Sequence, residues 1–198
     1  MDHQLGRGGL NDVLAALGEL LDARGLRYEL VLIGGASLLL RGVIARPTKD
    51  VDVLGAREAS GEIVRLEALP EPLARAVADV GLAYGLAPDW LNLGPASLLD
   101  LGLPDGFEER LDAARSGGLV AWIAGRFDLA CFKLYAAVDH WPSRGRHLAD
   151  LRALAPTSRE LRAAAEWATS HDPSPAFAAN LAALLGSLGT EASDDSRR

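Results

Sequence analysis

The 198-residue sequence predicts an α+β fold with α/β character: a mixed sheet lobe flanked by helices, followed by a lobe of helices alone. Two observations carry this expectation. Apolar β-type runs near residues 28–33, 51–54 and 119–124 alternate with stretches of helical periodicity, and from Gly125 onward the periodicity is helical throughout. No Pro/Gly/Ser-rich linker divides the chain, and its length suits one domain with a helical extension. The expected boundaries are 1–124 for the sheet lobe with its N-terminal helix, 125–190 for a helical lobe packed on it, and 191–198 for a polar tail.

Leu10, Val13, Leu14, Leu17, Leu20 and Leu21 recur at helical spacing, with Asn11 and Asp12 as candidate caps and Gly25 as the stop. Tyr28 to Ile33 is the first strand, Ala36 to Gly42 a short helix, and Val51 to Leu54 the second strand. Residues 61–68 alternate loosely, as a strand or the start of a helix, and Leu73 to Leu86 follows as a helix. Residues 89–92 read as a short strand and 95–99 as a helical turn; Phe107 to Arg115 reads as an exposed helical or loop segment, closed by a Gly117-Gly118 turn. Leu119 to Ala124 is a buried strand. Phe127 to His140 is a helix with Phe127, Ala130, Cys131, Leu134 and Val138 inward, which leaves Lys133 and Tyr135 off the stripe. A helix starting at Arg144, another over 159–169 and a third over 175–188 complete the chain.

The chemistry concentrates at Val31-Leu32-Ile33-Gly34-Gly35-Ala36-Ser37 and Arg46-Pro47-Thr48-Lys49-Asp50-Val51-Asp52. Successive strand residues face opposite ways, so Asp50 and Asp52 share one face while Val51 and Val53 take the other. Two adjacent carboxylates repel unless a cation joins them, and a hard divalent ion such as Mg²⁺ takes oxygen ligands of this kind together with phosphate oxygens. The Gly34-Gly35 turn lets backbone approach a phosphate closely, and Ser37 adds a hydroxyl. Asp50 and Asp52 are therefore the expected metal ligands, and Gly34, Gly35 and Ser37 the expected nucleotide-binding residues.

The remaining composition narrows the class. A net charge of −7 speaks against a general nucleic-acid coat, although residues 133–162 carry a local excess of Arg and Lys. No apolar run reaches the length of a membrane span and the N-terminus has no basic region followed by an apolar one, so a cytoplasmic protein is expected. Cys131 is the single cysteine, which excludes an internal disulfide and points to a small core residue. Only Lys49 and Lys133 are lysines in a chain otherwise rich in Arg, and an ammonium does not replace a guanidinium.

Gly-Gly-Ala-Ser followed by Arg-Pro-Thr-Lys-Asp-Val-Asp resembles the nucleotidyltransferase superfamily. More narrowly, it resembles the AbiEii/MenT-type toxins of bacterial toxin–antitoxin systems. In those toxins a helical Lys, then an Arg-bearing helix with an Asp, follow the strand carboxylates; Lys133, Arg146 and Asp150 match by order and setting. The resemblance implies a nucleotidyltransferase-like fold and an Mg²⁺-dependent transfer of a nucleoside monophosphate from an NTP such as ATP or CTP. It further implies the 3′ end of tRNA as acceptor, a block of aminoacylation and translation, and a cognate antitoxin, either a protein or a kinase.

Under that resemblance Asp50, Asp52, Lys133 and Asp150 are the catalytic set, and Arg46 and Arg146 join the nucleotide-binding residues. Thr48 is a candidate for regulatory phosphorylation, whose charge would oppose NTP binding beside the metal ligands. Plain readings stand beside these. Asp150 lies four residues after Arg146 and suits a solvated helical ion pair, Arg46 an ordinary surface Arg, and His140 and His147 packing positions. Asp89, Asp100 and Asp105 are candidates for a third carboxylate. Transfer to a protein hydroxyl or a small molecule, and a non-catalytic nucleotide-binding module, are the alternative functions.

Overall fold

The computed structural model describes residues 4–143 and 145–195, with side chains as far as residue 188. The chain divides into two compact units that meet in sequence between Gly125 and Arg126. No helix among the described residues is long and apolar enough to cross a membrane. Residues 196–198 of the expected tail lie outside the described residues.

The first unit is built on a six-stranded mixed sheet. Its strands are β1 (Tyr28–Ile33), β2 (Val51–Arg57), β3 (Ile63–Val64), β4 (Leu91–Asn92), β5 (Asp112–Ser116) and β6 (Leu119–Ile123). The order is β3-β2-β1-β6-β5; off this path, β4 pairs in parallel with the start of β2, whose end pairs with β3. β1 is central, antiparallel to β2 and parallel to β6. The helices α1 (Arg7–Ala23), α2 (Gly34–Leu40), α3 (Glu71–Tyr84) and the single turn α4 (Leu98–Leu101) accompany the sheet, and α1 and α3 bury their apolar stripes with alternate residues of the strands. Leu10, Leu17 and Leu21 of α1, Leu73 of α3, and Val51 and Val53 of β2 are completely enclosed. Each such side chain contributes about 1.5–3 kcal/mol of apolar burial.

Three sequence expectations are corrected here. Asn11 and Asp12 do not cap α1, which begins four residues earlier after Gly6; Gly25, with φ +67°, does end it. Phe107 to Arg115 is not helix or loop throughout: a 3₁₀ turn at Glu108–Arg110 leads into β5, an exposed edge strand paired to β6 across the Gly117-Gly118 turn. The short helix α2 (Gly34–Leu40) starts directly at the Gly pair, without an intervening turn.

The second unit consists of α5 (Arg126–Asp139), α6 (Arg146–Leu154), α7 (Ser158–His171) and α8 (Pro175–Asp195). Thr157 and Glu160 form a reciprocal capping box at the start of α7. Glu160 also pairs with Arg126 of α5, and that guanidinium together with the Thr157 N–H holds its carboxyl down at about 2. The aromatic rings of Phe132, Tyr135, Trp167 and Phe177 meet edge-on or tilted between α5, α7 and α8. Cys131 is buried and forms no disulfide.

Candidate functional site

In the sheet unit, a break of register in the β1–β2 ladder decides where the acids stand. Val31 pairs with Gly55 but Leu32 pairs with Val53, so Leu54 is an extra residue on β2 and the ladder ends with Asp52 opposite Ile33. Ile33 immediately precedes the Gly pair, so Asp52 comes to rest beside it. Gly34 has φ +71°, and a methyl group there would lie 2.1 Å from Asp52 Oδ2. Only glycine meets both demands. A methyl on Gly35 would lie 3.1 Å from Thr48 Oγ1.

Asp50 precedes β2 by one residue, and Asp50 and Asp52 are both half-buried on either side of the enclosed Val51. Thr48 Oγ1 donates to the Asp50 carbonyl at 3.1 Å and lies 3.4 Å from its Oδ1. Thr48 itself is buried, because Leu5 bridges to it with two backbone hydrogen bonds of 2.7 and 3.0 Å. On the other side of Asp52, Asn92 of β4 is its parallel partner in register, with Nδ2 3.5 Å from Asp52 Oδ1.

Ser37, expected at the phosphates, is fully enclosed on α2 with its hydroxyl making no hydrogen bond. Arg46 and Lys49 are exposed on the loop leading to Asp50. Asp89 and Asp105 are exposed outside the strands, and Asp100 pairs with Arg65. None of the three adjoins Asp52 on a strand.

In the helical unit, Lys133 is not off the buried face as the α5 stripe suggests: only 6% of it is exposed. Its Nζ lies 2.8 Å from Asp150 Oδ2 of α6, whose exposure is 1%. Asp150 is thus no solvated partner of Arg146, which is exposed in the first turn of α6. The pair explains the burial, since each charge compensates the other in a place where either alone would be costly. His147 sits half-buried beside it, its ring 5.3 Å from that of His140 and its Nδ1 without a partner. Burial and the nearby Lys133, Arg146 and His140 push its pKa down to about 4, against the opposing pull of Asp150.

Residues 9–140 match the family described as nucleotidyltransferase of unknown function (DUF6036). The chain is a member of this nucleotidyltransferase family. The match spans the Gly pair, both strand acids, Asn92 and Lys133, and ends before Arg146 and Asp150. No curated protein and no solved structure matches the chain.

The strand acids of this nucleotidyltransferase suit a hard divalent cation: both ligands are carboxylates, both are reachable, and the neighbouring donors Thr48 and Asn92 are neutral. Among the described residues no group of three His, Cys, Asp or Glu side chains could hold a metal ion. Asp50 and Asp52 are the residues that would hold such an ion. Sequence reasoning gave Asn92 no role, although it reads 89–92 as a strand; an amide at a strand end gives no signal until the β2–β4 register is known.

Proposed function

We propose that this nucleotidyltransferase transfers a nucleoside monophosphate from an NTP to the 3′ end of tRNA. In this reading the acceptor hydroxyl oxygen bonds to the α-phosphorus, the bond to the β-phosphate oxygen breaks, pyrophosphate leaves and the hydroxyl proton passes to a carboxylate or solvent. The observation that supports the reaction class is the packing of Gly34 against Asp52, which sets the glycine pair at the start of α2 against the carboxylate pair.

Asp50 and Asp52 would hold Mg²⁺, which when bound supplies positive charge for the phosphate oxygens. Thr48 keeps Asp50 oriented through its hydrogen bond. Gly34 and Gly35 admit the phosphates to the backbone. Lys133, Arg46 and Arg146 are assigned the charge of the triphosphate and of the leaving pyrophosphate, and Asp150 the orientation of Lys133. Ser37 supports α2 rather than touching the nucleotide, since it is enclosed.

The tRNA acceptor, the toxin role and an antitoxin partner rest on the resemblance of the two motifs to AbiEii/MenT-type toxins. Thr48 remains the candidate for phosphorylation by a kinase antitoxin; it is buried under Leu5, so modification requires that N-terminal bridge to open. Purified protein with Mg²⁺ and each NTP labelled on its α-phosphate, offered tRNA, protein and small-molecule pools, tests this. Label entering tRNA is the expected result; label entering only protein or a small molecule overturns the acceptor and keeps the reaction.

A further inference from the structure

We infer that Asn92 occupies, as a neutral hydrogen-bond donor, the strand position that could add a ligand beside Asp52, so that the side chains described around Asp52 hold one divalent cation and not two. The inference rests on the reading of Asp50 and Asp52 as cation ligands.

The orientation of the amide decides the point. Asn92 Oδ1 accepts the Gly94 N–H at 2.8 Å. A backbone N–H can only donate, so the ligating end of the amide is taken and Nδ2 is the end that faces Asp52. An N–H of Nδ2, a donor and not a ligand, therefore faces the Asp52 carboxylate.

β4 cannot readily turn to present another group. Trp90 is completely enclosed and donates its indole N–H to the Val77 carbonyl at 3.0 Å, while the Val51 N–H donates to the Trp90 carbonyl at 2.6 Å. Asn92 therefore keeps its register against Asp52. Two carboxylates neutralise one divalent ion, and a second ion would have to be held there without a further anionic side chain.

The full chain titrated with Mn²⁺ in the absence of nucleotide, with free ion followed by electron paramagnetic resonance and melting curves recorded alongside, tests this. Wild type is expected to bind one ion and Asp52→Asn to lose it. Asn92→Asp is expected to bind Mn²⁺ about tenfold more tightly or to take a second ion. It should also gain more melting temperature from Mn²⁺ than wild type does, a difference that can be read even if the variant is less stable without the ion. Two ions in wild type, or an Asn92→Asp variant with unchanged affinity and stoichiometry, overturns the inference while leaving the carboxylate centre standing. Equal failure of wild type and Asp52→Asn to bind Mn²⁺ overturns the metal reading itself, and the inference with it.

Discussion

Gly34 and Asp52 are packed so closely that a single methyl group on Gly34 would stand 2.1 Å from Asp52 Oδ2. Gly34→Ala must therefore displace the carboxylate, on top of about 1–2 kcal/mol of backbone cost at φ +71°. Displacement of a reacting group by about 1 Å costs on the order of 10²-fold in rate. Nucleotidyl transfer by Gly34→Ala should fall by that order, and Gly35→Ala, whose methyl meets Thr48 Oγ1 at 3.1 Å, should fall less. Equal rates for the two variants, measured beside their melting temperatures, would contradict this.

Lys133 and Asp150 form a buried pair in which each stabilises the other's charge. Asp150→Asn leaves an ammonium without its counter-charge and should cost about 3–5 kcal/mol in urea unfolding. Replacing both, as Lys133→Met with Asp150→Leu, should recover much of that stability and none of the transfer. A double variant that regains activity would remove the pair from the reaction.

Lys133 and Asp150 show what a sequence carries and what it does not. Strand β1 is legible because the apolar run Leu30 to Ile33 ends at a Gly pair, and the carboxylate strand because Asp alternates with enclosed Val. β5 is not: Asp112, Ala113, Ala114 and Arg115 are all exposed, so no apolar alternation marks them, and only pairing to β6 makes them a strand. A helical stripe counts apolar residues as the buried ones, so Lys133 fell outside it; its burial depends on Asp150 from another helix, a tertiary fact. Asn92 became visible only through its register with Asp52.

His147 sets a pH dependence. Its folded pKa of about 4 lies below the unfolded value, so between these values the unfolded chain binds more protons and stability rises with pH. On acidification from near neutrality to pH 4 the contribution is lost, on the order of 1–2 kcal/mol once solvent screening of a half-buried ring is allowed for. Below that, Glu160 follows in the same direction as its own carboxyl, held at about 2, takes up a proton. His147→Phe should flatten the first part of the profile and leave the second; an unchanged slope from neutrality to pH 4 would exclude His147 as its source.

Thr48 orients Asp50 from a buried position. Thr48→Val removes that hydrogen bond at a cost of about 1 kcal/mol in stability and should lower the rate of transfer, whereas Thr48→Ser should retain most of it. Rates that follow stability alone across the two variants would reduce Thr48 to a packing residue.

The central claim is that the carboxylate pair performs NMP transfer. Its most direct measurement is the release of labelled pyrophosphate and the appearance of acceptor-linked nucleotide with Mg²⁺ and NTP, for wild type beside Asp50→Asn and Asp52→Asn, with folding of all three checked by melting curves. Wild type is expected to yield both products and the two folded variants neither. Both products at undiminished rate from Asp52→Asn would contradict the claim.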